Sequence, residues 1–371
     1  MPDIIINKVV IHELVKEQHQ PIQPSNLRAA VLDPTNGIVL KLVDGITSLY
    51  GTRNNSAHYG TFRTGDGSGA FPGSFSTYTE SATPDDAQFM TLTRVAMDEL
   101  YRKAESSQAS SGGYILFADY SSAQSRFFII AMIKQKEGIR LSEGLEPEEL
   151  TELDMNRLYQ AARVNFGKLS AYLAAPEADR QELSYLSFIS PNAGKTAAGY
   201  FVTALGCAPG AASARATDTL VKESTAFFRN NVALNPFRKR FKDNLLAYLS
   251  RKEDVGESVK LSEVEEIARQ FMPAGEPGQV DEMACALISY LNSEEHAVPV
   301  EFPVNKTALK KHTHIIYSAD NWDLKFERHA LGVTDAAQIY YDRENNRITI
   351  KDLPDSLIEK ICEELENRPE E

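Results

Sequence analysis

Two almost continuously apolar runs, residues 114–118 and 126–133, constrain the fold more than any other feature of the chain. Aromatic and β-branched residues dominate both runs, and a short polar segment separates them, which predicts two strands joined as a hairpin. A strand with one face in water alternates apolar and polar residues, and these runs do not. The sequence therefore predicts a central sheet whose two faces are both covered.

Apolar residues at helical spacing predict helices over residues 37–50, 87–104 and 213–230. Asn235 as a capping residue and Pro236 at the first helical position predict the start of another helix. Residues 51–86 are rich in Gly, Ser and Thr without a clear period, which predicts a long loop. Four short strands and a final helix are expected after residue 302.

These patterns predict an α+β protein with three parts. We expect a mixed-sheet N-terminal domain over residues 1–205 and a basic helical segment over 206–252. A small acidic α+β domain over 253–371 would complete the chain. A length of 371 residues is enough for about two ordinary domains with real cores.

Composition excludes several classes of protein. The three cysteines are far apart and show no Cys-x-x-Cys spacing, so a disulfide framework or zinc knuckle is not expected. The chain begins without a cationic segment before a long apolar run, and its longest apolar run, 127–133, is too short to cross a bilayer. We therefore expect a soluble cytoplasmic protein that does not act in the membrane.

A basic segment interrupts an otherwise acidic chain. Residues 215–252 contain nine Lys and Arg against three acidic residues, a net charge of +6. The preceding 214 residues carry −5 and the following 119 residues carry −14. Charge is felt only within about 8 Å at physiological salt, so such a segment can attract phosphate despite the acidic total. The alternative is that these side chains simply solvate helix surfaces.

We predict that this segment binds DNA, with Lys195 adding a phosphate contact at a helix start. The candidate DNA-binding residues are Lys195, Arg215, Lys222, Arg229, Arg238, Lys239, Arg240, Lys242, Arg251 and Lys252.

Motifs for catalysis are weak. Residues 193–196 resemble the end of a phosphate-binding loop, but Ile189 stands where that motif requires glycine. His312 and His314 could share a strand face, yet no third metal ligand follows at a recognised spacing. Asp323 and Lys325 resemble half of a nuclease metal site without its acidic partner. We therefore predict a binding protein, with no catalytic residues, no metal and no cofactor.

Short motifs spread over the whole chain resemble the 37-kDa bacterial nucleoid-associated protein family, NdpA or YejK. The matching stretches are Tyr59-Gly60-Thr61-Phe62, Gly112-Gly113-Tyr114-Ile115-Leu116-Phe117, Leu153-Asp154-Met155-Asn156, Tyr185-Leu186-Ser187-Phe188, Phe302-Pro303-Val304, Ala330-Leu331-Gly332 and Arg347-Ile348-Thr349-Ile350-Lys351. The resemblance implies a protein of the cytoplasm and nucleoid that binds double- and single-stranded DNA with little sequence preference. It also implies contact with type II topoisomerases, notably topoisomerase IV.

Two other functions stay open at this point. The acidic C-terminal region could act as a protein-interaction module on a basic surface such as that of a topoisomerase. A metal-dependent nuclease in defence against foreign DNA is the third reading, based on the scattered acids and His312/His314. Self-association into a homodimer would double the cationic surface.

Overall fold

The computed structural model describes residues 4–65, 67–122, 125–190, 199–210, 212–273, 275, 277–334 and 336–366. The helices are α1 Gly37–Leu49, α2 Phe71–Glu80, α3 Asp86–Glu105, α4 Phe166–Ala174, α5 Glu177–Arg180, α6 Tyr200–Ala204, α7 Ser213–Asn230, α8 Arg238–Val255, α9 Leu261–Arg269, α10 Gln279–Leu291, α11 Lys306–Thr313 and α12 Asp355–Glu366. Short 3-10 turns occupy Arg53–Asn55, Asn235–Phe237 and Arg328–Ala330.

The strands are β1 Ile4–Leu14, β2 His58–Phe62, β3 Gly113–Ser122, β4 Ser125–Ile133, β5 Gln135–Leu141, β6 Pro147–Leu153, β7 Gln160–Asn165, β8 Leu186–Ile189, β9 Cys207–Pro209, β10 Ser258–Lys260, β11 Glu301–Pro303, β12 His314–Ser318, β13 Asp323–Glu327, β14 Leu331–Gly332, β15 Ile339–Asp342 and β16 Arg347–Ile350. The expected α+β class is confirmed.

A seven-stranded sheet in the order β1-β3-β4-β7-β8-β2-β9 forms the centre of the larger part of the protein. The predicted hairpin of the two apolar runs is confirmed as β3 and β4, paired antiparallel from Tyr114–Ile133 to Ser122–Ser125. The other described pairings in this sheet are antiparallel too, whereas a mixed sheet was expected.

Both faces of the sheet are covered, as the apolar strands predicted. Phe117, Phe128 and Ile130 pack on one side into a core with helices α2, α3 and α6. The alternate residues of the same strands, such as Leu116 and Ile129, pack on the other side into a core with α1. Successive side chains of a strand point to opposite faces, so one apolar run supplies both cores.

The predicted loop over residues 51–86 is wrong, because this segment contains β2 and α2. Strand β2 lies inside the sheet between β8 and β9. In α2, Phe71, Phe75 and Tyr78 are each at most 3% exposed and recur at helical spacing. Burial of these three rings offsets the low helix propensity of the Gly and Ser between them.

Contacts divide the chain into two compact units, Met1–Val304 and Asn305–Glu371. This division does not coincide with the charge-based boundaries at 205 and 252, which stay a prediction about how the chain is organised. The first unit contains the large sheet and helices α1 to α10. The second contains α11, α12 and the strands β12 to β16. Among the described helices, none has the length and apolarity needed to cross a membrane.

Candidate nucleic-acid interface

Helix α7 carries a line of cations on its exposed face. Its buried face consists of Ala216, Thr217, Leu220, Val221, Ser224 and Phe228. Arg215, Lys222 and Arg229 lie on the opposite, exposed face. They are seven residues apart, so successive members are rotated by only about 20° and separated by about 10 Å along the axis. These three residues form a straight row, here called the α7 stripe.

Both acidic residues of α7 have partners, one on α7 itself and one on α10. Asp218 pairs with Lys222 at 2.6 Å one turn away, an exposed pair whose contribution to stability is small. Glu223 accepts a hydrogen bond from the Tyr290 hydroxyl at 2.8 Å, which turns it toward α10. None of the ion pairs between described residues involves Arg215 or Arg229.

Stacked rings connect the end of α7 to the start of α8. The rings of Phe228 and Phe241 are parallel, with centroids 4.0 Å apart, and both side chains are fully buried. Between the helices, the Asn231 side-chain oxygen accepts the backbone N–H of Ala233 at 3.0 Å. The predicted cap at Asn235 is wrong: this residue opens a 3-10 turn without a side-chain cap, and α8 begins at Arg238.

Residues 229–242, here called the α7–α8 corner, hold five cations and no anion. The cations are Arg229, Arg238, Lys239, Arg240 and Lys242. All are exposed except Lys242, which is half-buried. No ion pair between described residues involves Arg238, Lys239 or Arg240. The corner is therefore a concentrated, solvent-accessible positive surface.

The position of these cations on α8 is unfavourable for the helix itself. The first turn of α8 contains no acidic residue. A helix N-terminus carries a partial positive charge, so cations there are repelled by the helix dipole. A bound anion would relieve this repulsion, and the arrangement suits a surface that receives phosphate.

The structure separates Arg251 and Lys252, which were predicted together. Arg251 is exposed, with its guanidinium 5.9 Å from the Tyr248 ring centroid. Lys252 is buried and bonds Glu257 at 2.9 Å and Glu263 at 3.1 Å. The hydrogen bonds that the Lys252 ammonium donates to these two carboxylates raise its pKa. We revise its predicted role, because its charge is already compensated inside the protein.

Among the residues that the structure describes, the other motifs do not come together as a catalytic centre. Lys195 and residues 193–196 lie outside the described residues. His312 is buried at the end of α11 and His314 begins β12, so they do not share a strand face. Within the described ranges, no three His, Cys, Asp or Glu side chains approach closely enough to hold a metal.

A second charged cluster borders a cavity of about 500 Å³ in the first unit. The residues that line this cavity belong to elements other than α7 and α8. Glu294 accepts bonds from Arg163 at 2.6 Å, Asn165 at 3.1 Å and Lys168 at 2.9 Å. Burial raises the pKa of Glu294, but Arg163 and Lys168 outweigh it and hold the pKa below its usual range. The carboxylate thus satisfies these cations, and the cluster joins the 292–298 loop to the sheet.

Sequence comparison identifies the family to which the chain belongs. The family model described as nucleoid-associated protein YejK matches residues 10–358. The chain belongs to the YejK family of nucleoid-associated proteins.

Curated relatives named as nucleoid-associated proteins cover between 79% and 96% of the chain. A nucleoid-associated protein of Pseudomonas paraeruginosa is 26% identical over 356 residues, which is 96% of each chain. One from Azotobacter vinelandii is 25% identical over 356 residues, covering 96% of this chain and 97% of the relative. One from Pseudomonas entomophila is 27% identical over 294 residues, covering 79% and 81%.

Membership of the YejK family supports a nucleoid-associated, DNA-binding role for this chain. The family is named for association with the nucleoid and not for an enzymatic activity. The sequence predicted these cations as one basic segment but not their division into the α7 stripe and the α7–α8 corner. The seven-residue spacing of Arg215, Lys222 and Arg229 is the sequence signal that predicts the stripe.

Proposed function

We propose that this chain binds double- and single-stranded DNA with little sequence preference through the α7 stripe and the α7–α8 corner. The observation that carries the proposal is the surface of residues 229–242, with four exposed cations, the half-buried Lys242 and no anion, in a chain of net charge −13. Lys and Arg contacts to phosphate supply most sequence-independent affinity for DNA. Arg251, which is exposed near the other end of α8, would add a separate phosphate contact.

The geometry of the α7 stripe supports phosphate contact rather than simple solvation. Three cations in one row span about 21 Å of helix axis, and the row ends where the corner begins. Duplex DNA carries one negative charge for about every 1.7 Å of its axis, so each cation of such a row finds a phosphate within reach. The row presents no acidic residue other than Asp218, which Lys222 pairs.

The direct test replaces Arg238, Lys239 and Lys242 by alanine in the full chain. We expect duplex affinity at about 0.1 M salt to fall by roughly a hundredfold or more, because three phosphate contacts are lost. The loss should be equal for duplexes of unrelated sequence. Fluorescence anisotropy of labelled duplexes measures both effects.

A matched control removes the same charge elsewhere in the first unit. Lys41, Arg94 and Lys103 are exposed and lie on α1 and α3. Their triple alanine substitution, here called the control variant, should leave duplex affinity within a few-fold of wild type. Equal losses in both variants would show that net charge, and not the α7–α8 corner, determines binding.

We further propose that the protein acts without catalysis or cofactor, in the cytoplasm and on the nucleoid. Attraction between cations and phosphate requires no catalytic group. A metal-dependent nuclease would require converging metal ligands, and the described residues contain no such cluster. Incubation of the pure protein with plasmid and Mg²⁺ or Mn²⁺ tests this point, and cleavage of the plasmid would contradict it.

The second candidate function is a protein-interaction role, and helix α12 favours it. Leu357, Ile358, Ile361 and Leu365 lie along one face of this helix and are each between 42% and 61% exposed. The rest of α12 carries five acidic residues and one lysine. An amphipathic helix normally buries its apolar face, so this one fits a partner surface that is apolar with a basic rim.

The expected partner class is a basic protein, for which the family resemblance suggests a type II topoisomerase such as topoisomerase IV. Replacing Ile358 and Ile361 by glutamate should abolish binding to purified topoisomerase IV and leave duplex affinity unchanged. Retained binding would count against α12 as the contact. Sedimentation velocity of the same variant tests whether a homodimer, also proposed, uses this face.

A further inference from the structure

An exposed aromatic pair lies at the tip of the β12–β13 hairpin in the second unit. The rings of Tyr317 and Trp322 have centroids 5.5 Å apart and are tilted by 37°. Tyr317 is 59% exposed and Trp322, the only tryptophan of the chain, is 51% exposed. Large aromatic side chains usually fill cores, so a neighbouring pair left in solvent indicates a contact surface.

The backbone of the hairpin holds the two rings on one face. Tyr317 stands opposite Leu324 in the register of β12 and β13. The Ala319 N–H donates to the Trp322 carbonyl at 2.9 Å and closes the turn. Since alternate residues of a strand share a face, Trp322 lies on the same side as Leu324 and Tyr317. The pair is therefore positioned before any ligand arrives.

We propose that Tyr317 and Trp322 stack on unpaired bases, which makes the hairpin tip a binding site for single-stranded nucleic acid. Every base has an aromatic face, so stacking on Trp and Tyr binds single strands without reading sequence. A duplex keeps those faces inside its own stack and offers them only at its ends. The inference deepens the proposed function by adding a site for unpaired strands in a part of the chain distinct from α7 and α8.

The charge of the surrounding segment favours nucleic acid over a basic protein. Residues 305–332 carry five cations and three anions, in contrast to the acidic helix α12. The cations are Lys306, Lys310, Lys311, Lys325 and Arg328, and the anions are Asp320, Asp323 and Glu327. The Arg328 guanidinium donates to the Lys311 carbonyl at 3.4 Å and to the His314 carbonyl at 3.2 Å, which holds this cation beside the end of α11 and the start of β12.

Asp323 directly follows Trp322 and Asp320 precedes it by two residues, so two carboxylates lie close to the proposed stacking site in sequence. Their carboxylates repel phosphate, so stacking and not phosphate neutralisation must dominate at the tip. Replacing both by asparagine should tighten binding of an oligonucleotide. If the tip instead received a basic protein, the same change would weaken that contact and leave oligonucleotide binding unaltered.

The single tryptophan makes the test direct, because intrinsic emission from this chain reports Trp322 alone. We expect oligothymidylate to quench the emission of the full-length protein in a saturable way. A blunt duplex at the same nucleotide concentration should produce little quenching even when it is bound. Anisotropy of a labelled duplex, measured in parallel, shows whether that duplex is bound.

Substitutions identify the contact. Tyr317→Ala should weaken oligothymidylate binding by roughly fivefold to a hundredfold, the loss expected for one stacked base. Trp322→Ala should weaken oligothymidylate binding to a similar extent, and Trp322→Phe should retain part of the affinity. Because both variants lack the tryptophan, their binding is measured by the anisotropy of a labelled oligothymidylate. Ile316→Ala is the control, because Ile316 is 53% exposed on the other face of the hairpin.

The outcomes separate this inference from the proposed function. Loss of duplex binding in the Arg238, Lys239 and Lys242 variant, together with normal quenching by oligothymidylate, supports two independent sites. Unchanged oligothymidylate affinity in Tyr317→Ala and Trp322→Ala would overturn the stacking site and leave the α7–α8 corner unaffected. Quenching by a lysine-rich polypeptide but not by oligothymidylate would overturn it in favour of a protein contact.

Discussion

The rings of Phe228 and Phe241 lie face to face, 4.0 Å apart and within 1° of parallel, and join the last turn of α7 to the first turn of α8. Both are fully buried, and Phe271 contacts Phe241 edge-on with centroids 6.3 Å apart. Exposed cations flank this pair on each helix, at Arg229 and Arg238. The buried pair therefore sets the geometry of the proposed DNA surface.

Phe241→Ala should destabilise the first unit by about 3–5 kcal/mol, because it removes a large buried ring and leaves a cavity. Urea denaturation of the full chain measures the change, and Phe241→Leu should lose clearly less. A free-energy loss below about 1 kcal/mol for the alanine variant would mean that the site collapses and that the stacked pair does not hold the corner.

Lys239→Gln should have opposite effects on stability and on DNA binding. Lys239 lies at the positive end of the α8 dipole without an acidic residue in that turn, so its removal should stabilise the fold by about 0.3–1 kcal/mol. Duplex affinity should fall at the same time. Thermal melting and anisotropy give the two values, and the solvated-surface alternative predicts no change in affinity.

Lys252→Met should behave as a structural change and not as a DNA-binding one. The Lys252 ammonium bonds Glu257 and Glu263, and the Tyr248 hydroxyl donates to the same Glu263 carboxylate. Removing the lysine leaves the two carboxylates without their common cation, so the melting temperature should fall. The salt dependence of duplex binding should stay as in wild type. A flatter salt dependence would return Lys252 to the interface.

The buried His12 and the half-buried His58 predict a loss of stability in mild acid. Burial lowers the pKa of His12 to about 4, assisted by Arg94 and Arg28, and burial alone lowers that of His58 to about 4. Both stay neutral in the folded protein, while the unfolded chain protonates them near pH 6.5. The contribution of these two histidines to the free energy of unfolding is therefore fully present above pH 6.5 and is lost progressively as the pH falls toward 4.

Melting temperatures between pH 7.5 and 5 measure this decline before most carboxylates titrate. His58→Phe keeps the ring that stacks on Phe188 at 5.3 Å but cannot be protonated, so its decline should be shallower than that of wild type. Identical pH profiles for the two proteins would show that His58 does not contribute.

Long periodic segments were predictable from the sequence, and short or mixed ones were not. Helices α1 and α3 and the β3–β4 hairpin follow from apolar spacing alone. The Gly-rich and Ser-rich α2 does not follow from propensity, because its stability comes from three rings buried against the sheet. Helix α11 was also missed, since eight residues with three lysines give little apolar periodicity.

The sequence predicted which segment carries the positive charge of the candidate site, but not how its side chains are arranged in three dimensions. Counting Lys and Arg located the basic segment, and helical spacing placed most of it on two helices. Sequence could not show that Lys252 turns inward to Glu257 and Glu263, because both carboxylates reach it only after the chain reverses beyond Gly256. It also could not show that the end of α7 and the start of α8 meet through Phe228 and Phe241.

The salt dependence of duplex affinity in an α7-stripe variant tests the central claim most directly. Replacing Arg215, Lys222 and Arg229 by alanine removes three aligned cations and should reduce the slope of log K against log salt by about 2.7. The control variant, with the same change in net charge, should keep the wild-type slope. An unchanged slope in the stripe variant, or an equal reduction in the control variant, would contradict DNA binding along α7.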